Sequence, residues 1–180
     1  MEKKIRRNLL ISLFFLVLII FPIPLIVFNV INSNPELYSI RIEGNVSEVT
    51  TYSYDQIVEG SFGLVENQNF VFLNQYDSQY NRVYTGVSVW SLLTHVTIMY
   101  PNSTGISFKS YDSYVTETLT LDQIYNNPEL VIIAFKIDDR ALKYNDNDGG
   151  PLRSIVDLSV TDPVYCSKYW VKHVNTIVVI

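Results

Sequence analysis

From Leu9 to Ile31 the chain is apolar almost throughout, broken only by Ser12, Pro22, Pro24 and Asn29, and the run follows Lys3, Lys4, Arg6 and Arg7. At about 1.5 Å of rise per residue, a helix of this length crosses a bilayer core. Because positive flanks stay on the inner side, the pattern predicts a cytoplasmic basic tail over 1–8, a transmembrane anchor over 9–31 and an extracytoplasmic remainder over 32–180. A cleaved signal peptide has a shorter apolar region, about 7–15 residues, closed by small residues at the cleavage site. Nothing like Ala-x-Ala follows here. A retained single-pass anchor in the cell membrane is therefore the expectation, with Pro22 and Pro24 kinking or ending the helix near the outer interface.

The remainder has room for one compact domain. The whole chain carries 13 Lys plus Arg against 18 Asp plus Glu, net −5. Since four of the basic residues precede the apolar run, the domain beyond it is more acidic still. That excludes nucleic acid and anionic lipid as its partners. Cys166 is the only cysteine, so no intramolecular disulfide forms, and with two histidines the chain lacks the ligands of an ordinary zinc site. Asn45-Val46-Ser47 and Asn102-Ser103-Thr104 fit the N-glycosylation pattern on the expected outer side, where each reads equally well as a polar turn.

Beyond the linker 32–36, Tyr38, Ile40 and Ile42 alternate with Ser39, Arg41 and Glu43, the period of a half-buried strand. Glu48–Tyr54 and Asn69–Leu73 read likewise as strands, with a short helical turn over Asp55–Glu59. Val89, Leu92, Leu93 and Val96 recur at helical spacing behind Ser88 as a cap. Ile106, Phe108 and Ser110 then form an inward row, so Ser110 closes a strand. Thr120 is placed to cap a helix through Asp122–Tyr125. Leu130–Ile137 is a continuous apolar run suited to a strand covered on both faces, and Asp138-Asp139 turns the chain. Ser154–Val160 and Val171–Ile180 supply the last strands. The fold class is a β-dominated α+β domain.

Gly149-Gly150-Pro151-Leu152-Arg153 joins a tight turn to a guanidinium at a strand start, a pattern whose backbone N–H groups and cation suit an anion. Together with Tyr84-Thr85-Gly86-Val87-Ser88-Val89-Trp90-Ser91-Leu92-Leu93, Phe108-Lys109-Ser110-Tyr111-Asp112-Ser113-Tyr114, Leu130-Val131-Ile132-Ile133-Ala134-Phe135 and Lys168-Tyr169-Trp170-Val171-Lys172, it resembles, in order and spacing, the molybdopterin-binding domain of the sulfite oxidase and methionine-sulfoxide reductase family. The resemblance runs through residues 60–180. It implies a sulfite-oxidase-like fold, molybdopterin as cofactor and an oxidoreductase activity. It places cofactor contacts on Ser110, Gly149, Gly150, Arg153 and Lys168, with Arg153 at the phosphate, in a pocket between a Gly86 turn, Ser110, the Gly149–Arg153 turn and Lys168.

In that family molybdenum is held by a cysteine thiolate on the segment matching Phe70–Gln75. Here the segment carries Asn74, and a neutral amide does not replace a soft anionic sulfur. No metal ligand is assigned. Asp148 stands where the family has an asparagine, and Asp157 where many members have a proline. Two functions follow: an oxidoreductase of altered ligation passing electrons to a partner, or a module that keeps the fold and docks a membrane or extracytoplasmic protein or a small anion.

Other readings are plainer. Around Asp146-Asn147-Asp148 a calcium loop would put Tyr144 and Ile155 where carboxylates are required. His95 and His173 read as surface or packing residues. Cys166 reads as an inert thiol or, near Lys168 and Lys172, as a reactive or displaced ligand. Arg153 can pair with Asp148 or Asp157 as readily as with phosphate. The thirteen tyrosines reflect β-propensity or a binding surface.

Overall fold

The computed structural model describes residues 38–180 apart from 75, 77, 96–98, 145, 146, 148 and 162–165. The chain divides between Asn34 and Pro35, and every described residue belongs to the unit Pro35–Ile180. The expected anchor over 9–31 lies outside the described residues. Among those residues no helix is long and apolar enough to cross a membrane.

Two five-stranded sheets share one contiguous apolar core. The first has the order β2 (Thr50–Ser53), β1 (Ser39–Gly44), β10 (Val174–Val179), β5 (Gly105–Ser110) and β6 (Leu119–Thr120). Within it β1 runs parallel to β10, with Arg41 level with Thr176, while β10 and β5 are antiparallel. The second has the order β3 (Leu64–Leu73), β4 (Gln79–Ser88), β7 (Val131–Ile137) and β8 (Arg140–Ala141), with β9 (Arg153–Val156) also paired to β7. Ile40, Ile42, Phe108 and Ile177 from one sheet and Phe70, Val87, Ile132 and Ile155 from the other are all without solvent exposure.

The local reasons are those the residue pattern carries. In β1 the alternation sends Ile40 and Ile42 inward and leaves Arg41 outside, paired with Glu43 at 2.7 Å. All of β7 but Lys136 is buried, as a continuous apolar run flanked by β4 and β9 requires. Helix α1 (Tyr54–Glu59) and helix α3 (Leu121–Asn126) each open on a capping box, Ser53 with Gln56 and Thr120 with Gln123. Helix α2 (Val89–His95) buries Val89, Leu92 and Leu93, and Ser88 Oγ accepts from Ser91 N.

Several expectations are corrected. Gly86 is no turn: it lies inside β4 opposite Ala134, where a Cβ would stand 2.4 Å from Ile133 O, so close strand approach is what demands glycine. Most of β4 had no clear alternating signal, because polar Asn81 and Arg82 lead into the unbroken buried stretch Tyr84–Ser88. The expected strand Ser154–Val160 stops at Val156. Asp157 then accepts from Ser159 N at 3.0 Å and Ser159 Oγ at 2.7 Å, which starts the short helix α4 (Leu158–Thr161). The strand expected from Val171 begins at Val174, because His173 takes a left-handed φ of 52°.

Candidate functional site

His173 organises the glycine turn. Its N–H donates to Gly149 O at 3.0 Å, and its ring Nδ1 lies 2.5 Å from Gly150 O. A carbonyl only accepts, so Nδ1 carries the proton. The turn thus offers carbonyls to its own histidine, where the sequence suggested free N–H groups facing a ligand. Gly149 has φ +73°, and a Cβ there would meet Lys172 Cγ at 2.3 Å; one on Gly150 would meet Leu142 Cβ at 2.4 Å. Both glycines are therefore required by close packing of the chain on itself. Lys172 Nζ donates to Asn147 O at 2.7 Å, and the Tyr144 ring lies 4.8 Å from that of His173.

The other candidates gather around this histidine. Ser110 pairs in register with Val174, and Tyr111 N donates to His173 O at 3.0 Å. The buried Ser110 hydroxyl donates to the Asp112 carboxylate and accepts from Tyr114 N at 3.1 Å. That hydroxyl and then the Tyr114 amide hold the Asp112 carboxyl below the ordinary carboxylate range against desolvation, with a lesser contribution from nearby His173. Tyr114 Oη reaches Lys168 O at 3.4 Å, and Lys168 Nζ pairs with Glu117, whose carboxylate raises the lysine pKa.

Arg153 joins the group from β9, bridging to Lys172, with its guanidinium 5.4 Å from the centre of the Trp170 ring. Ser154 Oγ donates to Tyr169 O at 2.6 Å, and Trp170 Nε1 donates to Val156 O at 2.6 Å, so the segment bearing Lys168 is fastened to β9. Ser110, Gly149, Gly150, Arg153 and Lys168 thus belong to one connected neighbourhood. Gly86 is level with Ala134, and Ala134 with Arg153, which puts it two strands from the arginine, roughly 10 Å, on the far side of β7 in the same sheet.

A second arrangement lies at the edge of β3. Val71 N donates to Asp157 Oδ2 at 2.7 Å and Leu73 N to Cys166 Sγ at 3.3 Å, so two outward N–H groups of an edge strand are capped by side chains. Cys166 is fully buried, and burial first, with the Asp157 charge, pushes its thiol up, against the smaller opposing pull of the Leu73 N–H. Asn74 Oδ1 accepts from Tyr76 N at 2.8 Å and Ser78 N at 3.0 Å and so closes the turn after β3. A surface cavity of about 450 Å³ borders Val71, Asp157, Leu158 and Ser159. Phe72 stacks on Tyr80 at 5.0 Å and meets Trp170 at 4.3 Å.

The sole cysteine therefore meets the very segment that carries the thiolate in the resembled family. The sequence offers Cys166 as a displaced ligand, but no local pattern places it beside Leu73, 93 residues away. Among the described residues no three His, Cys, Asp or Glu side chains gather as metal ligands.

The sheet-dominated α+β architecture, two five-stranded sheets over one core, is consistent with the sulfite-oxidase-like fold of molybdopterin-binding domains. The chain belongs to the oxidoreductase molybdopterin binding domain family, whose model matches residues 27–180. Its fold is similar to that in the crystal structure of the sulfane dehydrogenase SoxCD from Paracoccus pantotrophus, with a TM-score of 0.58 and 18% identity over 82% of this chain. The chain spans 39% of that protein's length. No curated protein matches it.

The residues fit the two ends of the family's cofactor unequally. Arg153, Lys168 and Ser110 are the cations and the hydroxyl that the resemblance assigns to the phosphate end, where the Lys168 ammonium pairs with Glu117 and the Ser110 hydroxyl donates to Asp112. The donors at the β3 end do not suit molybdenum held by a thiolate, because Asn74 Oδ1 serves two amides and the Cys166 thiol is buried and biased toward its neutral form. No redox step is derived through that group.

Proposed function

We propose that this protein is a membrane-anchored, extracytoplasmic domain that keeps the molybdopterin-domain fold and acts by binding an anionic ligand, such as a phosphate-bearing pterin, without redox turnover at a thiolate-held molybdenum. The observation that carries the reading is the use of Asn74 and Cys166 as internal caps of the β3 end. A side chain spent on backbone N–H groups that are partly out of water must leave those donors unpaired if it is withdrawn for a metal. Support for the binding half comes from Lys172 and His173, which pack on the glycine turn, and from Arg153, which bridges to Lys172 from β9. The anchor and the outer location rest on the apolar run 9–31 and its basic flank.

The test is elemental and calorimetric. Purified from a host that makes molybdopterin, the protein should carry far less than stoichiometric molybdenum, and inorganic phosphate should bind measurably. Arg153→Ala should weaken that binding by about 1.5–3 kcal/mol, the range of a charge-assisted hydrogen bond. One molybdenum per chain, whether kept or lost in Cys166→Ser, would overturn the reading, and absent phosphate binding would remove its anion half.

A further inference from the structure

Asn45 and Asn102 each open an Asn-x-Ser/Thr sequence, 57 residues apart in the chain. The fold brings the two into contact and treats them differently. Asn45 Nδ2 donates to Asn102 Oδ1 at 3.2 Å and to Ser103 Oγ at 3.1 Å, and Ser103 Oγ donates to Asn45 O at 3.1 Å. The Asn45 backbone is tied as well: its N–H donates to Val179 O at 2.8 Å, its carbonyl accepts from Tyr100 N at 3.2 Å, and Val46 bridges to Met99. The Asn102 turn is tied too, since Thr104 N donates to Ile180 O at 2.7 Å and Thr104 Oγ1 to the same oxygen at 3.3 Å, but Asn45 is half-buried whereas Asn102 and Thr104 are exposed.

We propose that Asn102 is an acceptor for an N-linked oligosaccharide and that the folded chain withholds Asn45. Transfer joins Asn102 Nδ2 to the anomeric carbon of a lipid-pyrophosphate-linked oligosaccharide. The bond from that carbon to the phosphate oxygen breaks, lipid pyrophosphate leaves, and one amide proton passes to a base of the transferring enzyme. Asn102 uses its Oδ1 toward Asn45, and that oxygen is untouched by the reaction, so Asn45 can go on holding the linkage after transfer. At Asn45 the reacting nitrogen is itself the donor of both side-chain bonds, which must be given up first.

The position suits a bulky polar group. β10 leads from His173 at the candidate site to Val179, whose carbonyl holds Asn45; over its six residues this is about 20 Å. An oligosaccharide on Asn102 therefore leaves the anion-binding face open. Its occurrence in the cell rests on the outer location proposed above.

The full chain, with an added Asn-Gly-Thr after Ile180 as a control acceptor, is purified unmodified and given an isolated oligosaccharyltransferase with lipid-linked oligosaccharide. Peptide mapping by mass spectrometry should find Asn102 modified about tenfold or more faster than Asn45, the scale of the two bonds that Asn45 must lose. Unfolding the same protein in urea should bring the two rates to within about threefold, because the difference resides in those bonds. Equal rates in the folded protein, or a modified control beside a bare Asn102, overturn the proposal. The same tagged chain expressed in a glycosylating secretory host separates the two readings: a bare control tag there refutes the outer location and leaves the purified-protein result standing.

Discussion

At the edge of β3 the N–H groups of Val71 and Leu73 are capped by Asp157 and Cys166, both buried, whereas around His173 the ammonium groups of Lys168 and Lys172 are held at the surface by Glu117 and the Asn147 carbonyl. The two regions meet at Trp170, which touches Phe72 on one side and Arg153 on the other. Their difference lies in what a ligand would have to displace. Breaking a buried hydrogen bond leaves a donor without water and costs about 1–3 kcal/mol, while an exposed ion pair is worth about 1 kcal/mol or less and exchanges readily with solvent ions. In one region a ligand would have to replace bonds to part-buried backbone N–H groups, in the other only contacts that exchange with solvent, although both are built from polar side chains.

The largest expected effect tests the joint between them. Trp170→Ala removes a buried indole that fills the space between β3 and β9 and donates to Val156 O, and should destabilise the protein by about 3–5 kcal/mol in urea unfolding. A loss below about 1 kcal/mol would mean that the regions are mechanically independent. Next comes the contrast itself. Asp157→Ala should cost about 1.5–3 kcal/mol, because its carboxylate serves Val71 N, Ser159 N and Ser159 Oγ, whereas Lys168→Met should cost about 1 kcal/mol or less. Equal losses would erase the distinction between closed and exchangeable sites.

The smallest effect is in pH. Burial raises the Cys166 thiol above its unfolded value, so the stability it contributes is fully present below the ordinary thiol pKa of about 8.5 and is lost as pH rises toward the folded pKa, where the unfolded chain has already released its proton. Urea midpoints of the wild type should therefore fall more steeply above that pH than those of Cys166→Ser. Parallel curves would indicate a thiol that titrates alike in both states.

How far the sequence reaches is clearest at particular residues. Strand β1, helix α2 behind Ser88 and the Thr120 cap were legible because each depends on neighbours within a few positions. Strand β9 is shorter than its residues suggest, since Ser154–Val160 is apolar enough for a strand and only the Asp157 carboxylate, bonding locally to Ser159, ends it. Gly86 looked like a turn residue, and the reason for its glycine is a backbone contact with β7 that no local pattern encodes. The candidate residues of the glycine turn were found through their spacing, but His173, which holds that turn by both its N–H and its ring, was read as a surface or packing residue. The meeting of Cys166 with Leu73 depends on the tertiary fold alone.

Strand β10 carries a consequence for how the protein is made. It fills the slot between β1 and β5, running parallel to a strand from the opposite end of the domain, and it buries Val174, Ile177 and Val179. Until Val174–Val179 have emerged from the ribosome, β1 and β5 have no partner on their facing edges, and the first sheet cannot close. Pairings between such distant segments make folding slow, and unpaired edges invite association with other chains in the interval. During synthesis the nascent domain must therefore wait, with two sticky edges exposed, for its central strand to arrive.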